Sequence, residues 1–157
     1  MNRLLIAITV SLAGVASAHA QGAVEPNPAN ACPDGNFKSH ELCFKTPRDG
    51  VARAETLSES FYAVILKTAE RCTITEDERL EAQKRFPQTK VFSMRFFCDD
   101  NVEENISYTN VNDKFGFLAV YAGRTFTEAR ALLAEVQATG RFPGANIRKM
   151  QAKLVYP

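Results

Sequence analysis

Apolar positions recur along the chain with two different periods. Phe61-Tyr62-Ala63-Val64-Ile65-Leu66 is a continuous apolar run of strand length, suited to burial on both sides. Next comes Thr75-Glu76-Asp77-Glu78, a capping box whose acids sit where the helix dipole favours them. It predicts a helix running through Leu80, Lys84 and Arg85 until Pro87 stops it. From Lys90 to Cys98 the pattern alternates as a strand. Val91, Ser93, Arg95 and Phe97 point one way; Phe92, Met94, Phe96 and Cys98 point the other. Ile106 to Val111 reads as a short strand, Asn112-Asp113 as a turn, and Phe115 to Ala122 as another strand. Thr125-Phe126-Thr127-Glu128 is a second capping box. Behind it, Ala129, Leu132, Leu133 and Val136 fall on one helical face. Gly140 stands at the C-cap, Pro143-Gly144 turns the chain, and Ile147 to Val155 alternates as a last strand.

The order β-α-β-β-α-β predicts an α+β fold. Its usual form is a ferredoxin-like sandwich, a four-stranded antiparallel sheet with two helices on one face. Ahead of it, residues 21 to 36 hold three prolines, two glycines and three asparagines, the composition of a loop-like arm. Pro47-Arg48-Asp49-Gly50 is a further turn that closes this region. The division expected is an irregular arm over 21–56, then one α+β domain over 57–157. No internal repeat or low-complexity tract interrupts it.

The first twenty residues are an address rather than a fold. Arg3 precedes an apolar stretch from Leu4 to Val15, and Ala18-His19-Ala20 has the form of a signal-peptide cleavage site. Cleavage there would leave Gln21 first and place the chain in the periplasm or outside the cell. All four cysteines follow that point: Cys32, Cys43, Cys72 and Cys98. An even number in an oxidising compartment implies two disulfides. Of the three connectivities, Cys32–Cys43 with Cys72–Cys98 closes the shorter loops and is the one expected. In the β-α-β-β-α-β topology Cys72 and Cys98 fall at one end of the sheet, which agrees with that pairing. A zinc site is disfavoured, since there is no C-x-x-C and His40 is the only histidine after the cleavage site.

In its first strand, Phe61 to Leu66, and its second half, Phe117 to Gly140 (FLAVYAGRTFTEARALLAEVQATG), the chain resembles the SPOR domains of bacterial cell-envelope proteins. The resemblance spans about two thirds of the chain after the leader. It implies the same fold and binding of peptidoglycan glycan strands, typically those stripped of peptide stems, on the open face of the sheet. Val64 stands where the family often carries a glutamine, and the stretch from Asp99 to Asn112 is longer than in the family.

Helices cover one face of such a sheet, so alternate strand residues point to the other. Aligning the strands by alternation places Tyr62, Val64 and Leu66 with Phe117, Ala119 and Tyr121 on the open face. Tyr62, Phe117 and Tyr121 would stack on sugar rings, with Arg95 and Arg124 donating to hydroxyl, acetamido or carboxylate groups. The competing reading is that these side chains pack beneath the arm or a partner, since so apolar a face would not stay exposed.

Charge and remaining motifs narrow the function further. Basic and acidic residues nearly balance, with a net charge of +1, which argues against nucleic-acid binding. No apolar run after the leader is long enough to span a bilayer. Asp99, Asp100, Glu103 and Glu104 lack the spacing and central glycine of a calcium loop, and read as a solvated linker. Arg141, Arg148, Lys149 and Lys153 form a basic patch, more in keeping with protecting a sheet edge than with a polyanion site. Asn105-Ile106-Ser107 matches a glycosylation sequon. His40 lies within the Cys32–Cys43 loop, the carboxylates are explained by capping, and no phosphate loop occurs, so neither a catalytic residue nor a cofactor is expected. The expectation is an exported, non-enzymatic module that binds peptidoglycan glycan. The alternative is a periplasmic protein-interaction module, an inhibitor or envelope-complex subunit, using the same apolar face.

Overall fold

The computed structural model describes residues 21–33, 35, 37–46, 54–95, 98 and 106–155. The expected leader, the turn expected at 47–50, Phe96, Phe97 and the acidic stretch 99–105 lie outside them. The elements are β1 (Glu55–Leu57), β2 (Phe61–Glu70), α1 (Glu76–Arg85), β3 (Val91–Ser93), β4 (Ile106–Tyr108), β5 (Phe115–Tyr121), α2 (Phe126–Ala138), β6 (Asn146–Met150) and β7 (Ala152–Val155).

Both helices begin where their capping boxes put them. The Glu78 amide donates to Thr75 Oγ1 at 3.2 Å, and Thr75 N donates to Glu78 Oε2 at 3.1 Å. Thr125 and Glu128 repeat the exchange at 3.2 and 2.8 Å. Gly140 follows α2 at φ +64°, a left-handed conformation that costs glycine little.

The strands form two antiparallel sheets, one of four strands in the order β3-β5-β2-β6 and one of three in the order β1-β7-β4. Both helices lie against one face of the larger sheet. Ala82, Phe86, Ala129 and Val136 pack there on Val64, Leu66, Val91, Leu118 and Val120. The opposite face carries Phe61, Ala63, Ile65, Phe92, Met94, Phe117, Ala119 and Met150. It is roofed by Ile106, Tyr108, Ala152 and Leu154 of the smaller sheet, and by Val24, Leu42 and Phe44 of the arm.

This second sheet is the main departure from expectation. The alternating segment from Ile147 to Val155 is not one strand but two, broken at Gln151, and its halves belong to different sheets. At the break, Gln151 N donates to Thr109 Oγ1 and its side-chain amide donates to Ser58 O, each at 2.9 Å. Ser58, fully buried, accepts from Ala152 N at 2.9 Å. The strand expected from Lys90 to Cys98 shrinks to Val91–Ser93. The first strand runs on to Glu70, past an irregularity between Ile65 and Lys67.

The arm, expected as a loop, is woven into the fold. Gly22 bridges Ser58, and Val24 bridges Phe44. Gly22 is required by close approach, because a Cβ there would stand 1.9 Å from the Lys45 carbonyl oxygen. Disulfides join Cys32 to Cys43 and Cys72 to Cys98, with Cα–Cα distances of 5.4 and 5.1 Å. Among the described residues no helix is long and apolar enough to cross a membrane.

Phe92 is fully buried where sheet meets sheet. Its ring centroid lies 6.1 Å from Phe61, 5.1 Å from Tyr108 and 5.9 Å from Phe117. Phe92→Ala should therefore lower stability by about 3–5 kcal/mol. Urea unfolding should show this as a lower midpoint at unchanged slope.

Candidate functional site

The register decides which side chains can meet a ligand. Ala63 pairs with Tyr121, Val64 with Val120 and Ile65 with Ala119. Directly paired residues share a face, so the alternation expected for β2 is shifted by one residue. Tyr62, Val64 and Leu66 lie on the helix side, whereas Phe117, Ala119 and Tyr121 lie on the other. The platform expected from all six does not exist.

The five candidate ligand residues accordingly scatter. Tyr62 packs against Phe126, ring centroids 5.9 Å apart, with Lys149 Nζ 5.8 Å from its own ring centre. Phe117 is buried between the sheets. Tyr121 is half-buried against Phe61 at 5.5 Å, and burial raises its hydroxyl pKa despite a hydrogen bond with Arg124. Arg124 is exposed, pairs with Glu59, and is held more firmly protonated by that carboxylate. Arg95 follows β3, partly buried, and its charge acts on His40. Only Tyr121 and Arg124 are brought together.

What remains uncovered is one end of the far face. A cleft of about 230 Å³ opens there, floored by Ile65 and Phe117 and walled by the turn between β4 and β5. Thr68 reaches it opposite Phe117, and Asn146 opposite Ile65. Arg148 stands one pleat along β6, and Phe115, 45% exposed, forms the lip. Asn110 and Asn112 come from the turn, Asn110 at a φ of +59°, which asparagine tolerates better than most residues.

Among the described residues, the fold uses only half of each amide. Asn110 Nδ2 donates to Lys149 O at 2.9 Å, Asn112 Oδ1 accepts from Lys114 N at 3.0 Å, and Asn146 Nδ2 donates to Gly144 O at 3.2 Å. Among the described residues, Asn146 Oδ1 is buried with no hydrogen-bond partner. Among the described residues nothing pairs with the Arg148 guanidinium. The cleft thus offers uncommitted donors and acceptors beside an exposed aromatic ring, a chemistry suited to a neutral polar ligand. None of these is a candidate site residue in the sequence: Asn112 reads there as a turn residue, Asn110 and Phe115 as strand positions and Arg148 as an edge charge, and nothing marks Asn146.

A second polar cluster lies beneath the arm. Arg79, buried, donates from Nε and one terminal nitrogen to Glu76 at 2.8 and 2.6 Å, and from the other to Val91 O at 3.1 Å. Burial raises the Glu76 pKa, but Arg79 and Ser39 outweigh it and the net shift is downward. Burial and the charge of Arg79 bring Lys90 down to about 8, against Glu76 and Glu41. His40, whose carbonyl accepts from Ser93 N at 3.0 Å, is lowered to about 4 by burial and by Arg95, Lys38 and Arg79, with Glu76 opposing. Among the described residues no group of three or more His, Cys, Asp or Glu is placed to hold a metal ion.

No protein-family model, curated protein or solved structure matches the chain.

The His40 environment fixes a pH dependence. Its folded pKa of about 4 lies below the unfolded value near 6.5, so the unfolded chain binds the extra proton first. The neutral, docked form is fully stable above about pH 6.5 and loses stability progressively down to about pH 4. That loss should approach roughly 3 kcal/mol by unfolding at pH 7 and pH 4. In His40→Gln the difference between the two pH values should shrink by most of that amount.

Proposed function

We propose that the chain is an exported, non-enzymatic binding module of SPOR-like character. Its four-stranded half is then a ferredoxin-like unit, and its ligand is peptidoglycan glycan. The order β3-β5-β2-β6, with both helices on one face, supports the fold reading. The signal-like leader and the two disulfides support export.

The observation that carries the ligand reading is the cleft at the uncovered end of the sheet. Sugars present C–H faces to aromatic rings and hydroxyl or acetamido groups to amides and guanidinium. Phe115 supplies the ring; Asn146 Oδ1 and Arg148 supply an acceptor and donors the fold leaves unused. The volume suits one sugar ring of a chain that continues into solvent. The broad apolar platform is not part of this proposal, because the arm and the smaller sheet fill it. A protein partner on that same face meets the same obstacle.

The test is co-sedimentation of residues 21–157 with purified peptidoglycan sacculi, before and after amidase removes the peptide stems. Retention should rise after treatment. Phe115→Ala should weaken it by about 1 kcal/mol, roughly fivefold in affinity, and Arg148→Ala by a similar amount. Both positions are exposed enough to change without unfolding the chain. Absence of retention on either preparation, or full retention by both variants, would overturn the assignment.

A further inference from the structure

Where the arm crosses α1, a second cavity of about 380 Å³ has a different chemistry. Lys38 of the arm, Arg79 of α1 and Lys90 ahead of β3 all line it. Among the described lining residues Glu25 is the only carboxylate, and it is already engaged by the Asn27 amide at 3.0 Å. Ser39 and Asn30 add neutral polar groups at the same wall. We propose that this cavity binds a small oxyanion, a phosphate or carboxylate group, held between Lys38, Arg79 and Lys90.

Charge accounting favours an anion. Glu76 neutralises Arg79, but the Lys90 ammonium is met by the Ser39 carbonyl rather than by a carboxylate. A backbone dipole compensates a half-buried ammonium less well than an anion does. The lowered pKa of Lys90 agrees with that deficit, since burial and Arg79 together outweigh Glu76 and Glu41. An oxyanion entering the cavity would supply the missing countercharge and tie the arm to α1. The inference is independent of the glycan reading, because the two cavities share no residue.

The experiment is calorimetric titration of residues 21–157 with inorganic phosphate and, separately, with acetate, at pH 7 and low ionic strength. NMR of the lysine side chains should follow in parallel. Saturable binding of either anion is expected, with an upward shift in the Lys90 pKa on binding. Phosphate binding alone assigns a phosphoryl ligand, and acetate binding assigns a carboxylate. Lys90→Gln should weaken binding roughly tenfold or more. Lys38→Gln, a change in the arm rather than beside the sheet, should do the same and guards against misfolding of the first variant. No saturable binding of either anion would overturn the proposal. So would binding that neither substitution alters in folded protein.

Discussion

The sheet β3-β5-β2-β6 is apolar on both faces, and that constraint governs everything attached to it. Two helices suffice for one face. The other presents Phe61, Phe92, Phe117 and Met150, which at roughly 1.5–3 kcal/mol of burial each cannot remain in water. The chain meets this need from both of its ends. The arm lays Val24, Leu42 and Phe44 over one part of the face, and β4 and β7 cover another. Backbone pairing secures the cover: Glu25 N donates to Cys43 O and Lys45 N to Ala23 O, both at 2.9 Å. The Cys32–Cys43 bridge closes the same loop covalently.

Polar groups buried by this covering are satisfied in detail. Ser58 and Gln151 absorb the break between β6 and β7. The Tyr108 hydroxyl accepts from Leu42 N at 3.1 Å, so one aromatic side chain joins the smaller sheet to the arm. Near α1, Gln83 donates to both Phe86 O and Thr89 O, at 2.7 and 2.8 Å, and accepts from Val91 N at 2.9 Å. Such contacts contribute little each, but leaving any of them unmade in a dry interior costs considerably more. The ligand cleft is where this economy lapses.

The capping boxes and the disulfide pairing are legible in the sequence; strand extent, register and long-range pairing are not. Both capping boxes are four-residue events whose physics is complete within themselves, so Thr75 and Thr125 mark helix starts without reference to the fold. The disulfide pairing followed from loop length. Register was another matter. Phe61 to Leu66 has no polar residue to mark a side, so alternation fits either phase, and only pairing with β5 selects one. The break at Gln151 was hidden because Met150, Ala152 and Leu154 keep the same buried spacing straight through it. The cleft was illegible for a related reason: Asn110 and Asn146 are far apart in sequence, and only the fold shows which of their amide atoms remain unused.

The division of labour at Gln151 also sets an order of events in assembly. β6 is an outer strand of the larger sheet, but β7 is the middle strand of the smaller one, with β1 and β4 meeting only through it. Neither β1 nor β4 has a strand partner until β7 has been synthesised. A chain emerging from its N-terminus therefore has the arm, but not the paired smaller sheet, to cover Phe61, Phe92 and Phe117 until that late segment arrives. Closure of this face thus waits on β7, and the interval before it is when part of the aromatic surface is open to chaperones and to aggregation.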